Sequence, residues 1–136
     1  MTERTLVLIK PDGVGRGLTG RILDRYLAKG YDLVALQLRT CTPELADMHY
    51  ADHVAKDWYA PLRAFVTSGP LVAAVLEGLR VIDAVRALNG ATDGIAAAPG
   101  SIRGDWATSN RENLVHGSDS PESAAREIGI WFPELA

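Results

Sequence analysis

The sequence predicts an α/β fold of the α+β kind, a four-stranded antiparallel sheet with helices on one face. Apolar runs rich in branched residues recur along the 136 residues. Stretches with apolar residues at helical spacing lie between them. Their order falls into two βαβ-like halves, which together make a ferredoxin-like βαββαβ sandwich.

Thr5 to Ile9 reads as a central strand buried on both faces, and Lys10-Pro11-Asp12-Gly13 stops it. The glycine-rich Gly13-Val14-Gly15-Arg16-Gly17 that follows lacks the spacing of a dinucleotide or P-loop motif, so it reads as a flexible lead into a helix. That helix runs from about Gly17 to Ala28, with Leu18, Ile22 and Tyr26 on one face. Lys29-Gly30 closes it, and Tyr31 to Leu38 forms the second strand. Thr42-Pro43-Glu44 starts a helix, the hydroxyl as cap and the proline in the first turn.

Glu44 to Val66 reads as two helices joined around His53 to Asp57. Ser68-Gly69-Pro70 is a turn before a buried strand from Leu71 to Leu76. A helix from Leu79 to Leu88 ends at Asn89-Gly90. Ala91 to Arg111 has no periodic pattern, and a loop of that length in a compact domain carries function or disorder. Leu114-Val115 gives the last strand and Ser120 to Trp131 the last helix, capped by Ser120 with Pro121 at its first position.

The length sets one domain, residues 1–136. A 47% hydrophobic and 23% charged composition is that of a globular protein. A net charge of −3 argues against a dedicated nucleic-acid binder. Cys41 is the only cysteine, so no intrachain disulfide forms. Met1-Thr2-Glu3-Arg4 leads straight into a strand without a signal-peptide core, and no apolar run approaches the ~18 residues of a membrane span. A cytoplasmic protein is expected.

The chemistry centres on His116, at the end of an apolar run that breaks at Gly117. A histidine at a strand-to-helix junction has its backbone held on both sides, and a neutral imidazole is a nucleophile. Isolated cations also stand at structural breakpoints: Lys10 at the first strand's end, Arg86 in a helix, and Arg103 within Pro99-Gly100-Ser101-Ile102-Arg103-Gly104-Asp105. With the histidine they suggest a site for a polyanion. His49 and His53 share a helical spacing that can hold zinc, but no third ligand is evident, and a solvated helix face is the reading preferred. No Ser-His-acid elbow occurs.

These residues resemble the nucleoside diphosphate kinase family nearly end to end. The likeness runs through Thr5 to Gly13, His49-Tyr50, Ser68-Gly69-Pro70, Glu77-Gly78, Pro99 to Asp105, Asn113 to Ser120, Glu122-Ser123-Ala124 and Glu127 to Phe132. The Asn113 to Ser120 block is the most specific. The resemblance implies Mg²⁺-dependent, ping-pong transfer of the γ-phosphoryl group from a nucleoside triphosphate, chiefly ATP, to a nucleoside diphosphate through a phosphohistidine. It makes His116 the nucleophile, with Glu127 bonding the far ring nitrogen directly or with Ser118. Lys10, Tyr50, Arg86, Thr92, Arg103 and Asn113 match positions that hold phosphates and ribose. Trp58 and Leu62 match the clamp on the base, with Asn110 beside it. Mg²⁺ is expected on phosphate oxygens, with Asp119 reaching it only through water.

Two positions depart from the pattern: Trp58 where phenylalanine is common, and Gly94 where many members have proline. At Gly94 a proline is expected to stabilise by roughly 0.4–1 kcal/mol where the backbone suits it. The family's assembly implies a homo-oligomer, a hexamer before a tetramer, and the short C-terminus ending at Ala136 leaves no tail to wrap a neighbour. The alternative function is a catalytically silent interaction or regulatory protein on the same fold. Loss of His116, Lys10 or a phosphate-binding arginine would favour it, and all are present.

Overall fold

A computed structural model describes residues 2–135. Its four strands are β1 (Thr2–Ile9), β2 (Asp32–Thr40), β3 (Pro70–Leu79) and β4 (Val115–Gly117), arranged in the order β2-β3-β1-β4. Every pairing is antiparallel. The helices are α1 (Pro11–Gly15), α2 (Thr19–Ala28), α3 (Pro43–His49), α4 (Tyr59–Val66), α5 (Val81–Asn89), α6 (Ile102–Trp106) and α7 (Pro121–Trp131).

The helices cover both faces of the sheet, not one as expected. Leu6 to Ile9 of β1 are all buried, and successive side chains of a strand point to opposite faces. Val7 and Ile9 join Val72, Leu76, Ile22, Tyr26, Val81 and Val85 in a core under α2 and α5. Leu6 and Leu8 join Leu71, Ala73, Val75, Leu45, Val66, Ile128 and Trp131 in a second core under α3, α4 and α7. A strand buried along its length requires two such layers. The exception is the edge strand β2, where Leu36 and Leu38 remain 48% and 67% exposed.

Element types follow the sequence, and boundaries shift for local reasons. α1 forms where a stop and a flexible lead were expected, because a proline is tolerated at a helix's first position. Its Gly13 is there for packing, since a Cβ would lie 2.8 Å from Ile9 Cγ2. Arg80 adopts a left-handed conformation (φ 50°), which separates β3 from α5 and delays the helix to Val81. Thr42 caps α3 by accepting from the Leu45 N–H, and Ser120 caps α7 by accepting from the Ser123 N–H.

The long segment from Ala91 to Arg111 contains α6, which its sequence period does not show. Ser101 starts it by accepting from the Gly104 N–H. Arg25 of α2 donates to the Gly100 carbonyl and to Asp105, and its guanidinium lies over the Trp106 ring at 4.4 Å. Gly94 passes so close to Ala107 that a Cβ would lie 2.1 Å from its carbonyl oxygen. The expectation that proline would stabilise this position is therefore reversed here.

Candidate active site

β4 is short, and its one pairing with β1 sets His116 opposite Leu8. The residue before the strand, Leu114, is fully buried at φ 77°, a conformation that strains a branched side chain. Two bonds hold it there: its N–H donates to Asp12 Oδ2 at 3.1 Å, and its carbonyl accepts from the Lys10 N–H at 2.7 Å. Burial raises the Asp12 pKa, against the pull of surrounding backbone N–H groups and Lys10.

On the other side of the imidazole stands α7. His116 Nε2 lies 2.8 Å from Glu127 Oε1, and the Ser118 hydroxyl donates to the same oxygen at 2.8 Å. Ser118 in turn accepts from the Leu6 N–H at 3.1 Å, tying the pair to β1. A carboxylate only accepts, so Nε2 carries the proton and the neutral ring keeps its lone pair on Nδ1. The partners of the ring are shielded from solvent, for Glu127 is 5% exposed and Ser118 fully buried.

Cations flank the ring. The Lys10 ammonium is buried and donates to Asn113 Oδ1 at 2.8 Å. Burial and then the nearby Arg103 charge lower its pKa to about 8, while Asp12 pulls the other way. Arg103 donates to three carbonyls, those of Asn113 (3.2 Å), Gly90 (2.9 Å) and Val115 (2.6 Å). A guanidinium has five N–H groups, so two remain for a ligand. Its neighbour Gly104 is required by the backbone, because a Cβ would lie 2.0 Å from the Ala98 carbonyl oxygen. Asn113 spends its amide N–H groups on the Thr92 and Asn110 carbonyls, each at 3.0 Å.

Two adjoining clefts meet at His116. One, of about 360 Å³, is lined by His116 with Arg86, Asn89, Arg126, Asp119 and Glu127. The other, of about 420 Å³ and lined largely by apolar surface, has Lys10, Trp58, Leu62, Asn110 and Asn113. Tyr50, Thr92 and Arg103 belong to both. Every candidate named from the sequence thus lies at one cleft or, for Ser118, behind it. Trp58 sits 47% exposed at the rim, with Lys56 Nζ 5.2 Å from its ring and His53 tilted against it at 5.0 Å.

His49 departs from expectation. It does not lie on a solvated face; it is 3% exposed and packs edge-on to His116, ring centroids 4.6 Å apart at 81°. Leu45, Ala46 and His49 form the buried stripe of α3, a spacing of three and four that could have revealed it. His53 lies beyond the helix end, in a 3₁₀ turn (Ala51–His53) that breaks the shared face. Arg126 was also missed: it donates to the Met48 and His49 carbonyls at the end of α3 and lies 3.8 Å from Glu127 Oε2.

The nucleoside diphosphate kinase family model matches residues 3–136. A nucleoside diphosphate kinase of Nocardioides sp. is 69% identical over 135 residues, covering 99% of this chain and all of that protein. One of Mycobacterium tuberculosis is 60% identical over 134 residues and 98% of each chain. Among solved structures, the Aquifex aeolicus nucleoside diphosphate kinase superimposes with a TM-score of 0.96 at 43% identity, covering 99% of this chain and 98% of that one. The Halobacterium salinarum nucleoside diphosphate kinase in complex with CDP gives 0.94 at 46% identity, over 97% and 88%.

Proposed function

Because the chain belongs to the nucleoside diphosphate kinase family, we propose that it works as one domain that moves a γ-phosphoryl group between nucleotides through His116. The reaction is that of a nucleoside-diphosphate kinase, a phosphotransferase acting on nucleoside tri- and diphosphates. The observation that carries the residue assignment is the Glu127 bond to His116 Nε2, which leaves Nδ1 as the nucleophile at the meeting point of the two clefts.

In the first half-reaction Nδ1 attacks the γ-phosphorus, the N–P bond forms, and the bond to the β-γ bridging oxygen breaks, releasing the nucleoside diphosphate. Positive charge that develops on the ring is met by Glu127, whose carboxylate Ser118 also orients. Lys10, Arg86 and Arg103 face the equatorial oxygens and the departing diphosphate, where charge accumulates in a loose transition state. A second diphosphate enters the same clefts and takes the group back from Nδ1. One site thus serves donor and acceptor in turn.

Trp58 stacks on the base and Leu62 packs against it, with Asn110 alongside, while Tyr50, Thr92 and Asn113 hold the sugar-phosphate end. Stacking accepts any base, which suits use of all nucleotides.

Among the described residues the carboxylates at the first cleft are Asp52, Asp119 and Glu127, and Glu127 is occupied by His116 and Ser118. Asp119 bonds to Ser123, the largest cause of its lowered pKa, and stays ionised. That donor set suits Mg²⁺ carried in on the phosphates, with Asp119 holding one of its waters. Bound there, Mg²⁺ would neutralise phosphate charge.

No helix among the described residues is long and apolar enough to cross a membrane, and we place the protein in the cytoplasm. The exposed Leu36 and Leu38 on the edge strand β2 support a homo-oligomer built by pairing copies there, a hexamer before a tetramer. Sedimentation of a fully active monomer at micromolar concentration would refute it. For the reaction itself, ATP and a deoxynucleoside diphosphate mixed with the pure protein and Mg²⁺ should yield the new triphosphate. No transfer to any diphosphate would return the chain to the silent alternative.

A further inference from the structure

Beside the nucleophile lies a second buried imidazole that the transfer does not use. His49 Nδ1 is 3.0 Å from Trp131 Nε1. An indole N–H only donates, so Nδ1 must be bare and the His49 proton sits on Nε2. That Nε2 is buried without a hydrogen-bond partner in the protein. Burial first, then the charges of His116, Arg126, Lys10 and His53, push the His49 pKa well below its ordinary value and keep the ring neutral.

Two consequences follow from this placement. Glu127 holds His116 by one ring nitrogen, which fixes a point but not the plane of the ring. The His49 ring, set at 81° against it, fixes the plane and so the direction of Nδ1. The second consequence concerns metals. One ring nitrogen from each histidine and a Glu127 carboxylate oxygen lie within 4.8 Å of one another, a nitrogen-nitrogen-oxygen set that zinc and similar ions favour. Coordination through His49 Nε2 would require its proton to move to Nδ1, where it would face the Trp131 N–H. Coordination through Nδ1 would strip that indole, itself 2% exposed, of its acceptor.

We propose that His49 is a positioning residue for His116, and that Trp131 fixes it as the Nε2–H tautomer, closing the His49–His116–Glu127 cluster to transition metals. Only the kinetic arm of the test rests on the reading of His116 as nucleophile; the tautomer and metal arms do not.

Nitrogen NMR of the histidine-labelled protein between pH ~6 and ~8 should show His49 neutral with its proton on Nε2 throughout. Titration of the nucleotide-free protein with Zn²⁺ should reveal no site that depends on His49. Trp131→Phe should gain one such site, and the double variant Trp131→Phe/His49→Phe should lose it. In turnover, His49→Ala should lower kcat about tenfold with KM within about twofold, and His49→Phe, which restores a ring there, should recover most of kcat. A proton on Nδ1, a wild-type zinc site abolished by His49→Phe, or an unchanged kcat in His49→Ala would overturn the proposal. If Trp131→Phe does not fold, the wild-type spectrum and zinc titration decide. A wild-type protein that is never phosphorylated would instead sink the functional reading.

Discussion

The two ends of the proposed nucleotide site are built differently. At the phosphate end four groups are fixed by others: His116 by Glu127, Glu127 by Ser118, Lys10 by Asn113, and Arg103 by three carbonyls. At the base end Trp58 stands half exposed on the connection before α4, with Lys56 and His53 as polar neighbours. On the proposed reading charge develops at the phosphate end, where donors aimed in advance need no reorganisation during the reaction. The base end only has to hold a flat apolar surface. Changes at the first should therefore strike kcat, and changes at the second KM.

The sharpest way to break that contrast is at Arg103. Arg103→Ala removes a cation and frees three carbonyls, and should lower kcat by ~10²–10³. A comparable loss is expected for Lys10→Ala or Arg86→Ala. Unchanged steady-state kinetics in all three would remove them from the reaction. Trp58→Ala should act on KM instead, raising it about tenfold with kcat nearly intact, since stacking on an aromatic is worth ~1–3 kcal/mol per base. In the parent, purine and pyrimidine diphosphates should be used within about tenfold of each other, purines ahead for their larger stacking face. Strict preference for one base would show a hydrogen-bonded readout at that end.

A pH profile sharpens the same contrast. In the proposed reaction Lys10 acts as a cation, and its lowered pKa means that the free protein loses this charge as pH rises through about 8. kcat/KM should fall above that pH, and Lys10→Arg should move the fall upward, because arginine stays charged. The smallest effect is expected away from both ends. Gly94→Pro should lower the melting temperature, because the added atoms meet the Ala107 backbone and overpacking costs about 1–3 kcal/mol.

Much of this was legible in the sequence because local rules and tertiary structure agree there. The Thr42 and Ser120 caps fall where their hydroxyls precede proline, and β1 and β3 follow their apolar runs. The two-sided core was implied by the unbroken run Leu6 to Ile9, yet a one-layer arrangement was expected, so the signal was present and outweighed. α6 lies within a five-residue span, too short to show a period, and depends on the Ser101 cap and Arg25 from another element. Gly94 could not be read from its own neighbours, because Ala107 lies thirteen residues on. The sequence reading puts His49 on a solvated face because a histidine taken by itself favours neither face of a helix. Its stripe with Leu45 and Ala46 was the only clue.

In the proposed reaction His116 Nδ1 carries the phosphoryl group between half-reactions. This is tested most directly by incubating the protein with γ-labelled ATP and Mg²⁺, without acceptor, and locating the label. The expected result is one acid-labile, alkali-stable phosphate on His116 Nδ1, lost in His116→Ala and discharged when a nucleoside diphosphate is added. Label that persists in His116→Ala, or that sits on Nε2, would contradict it.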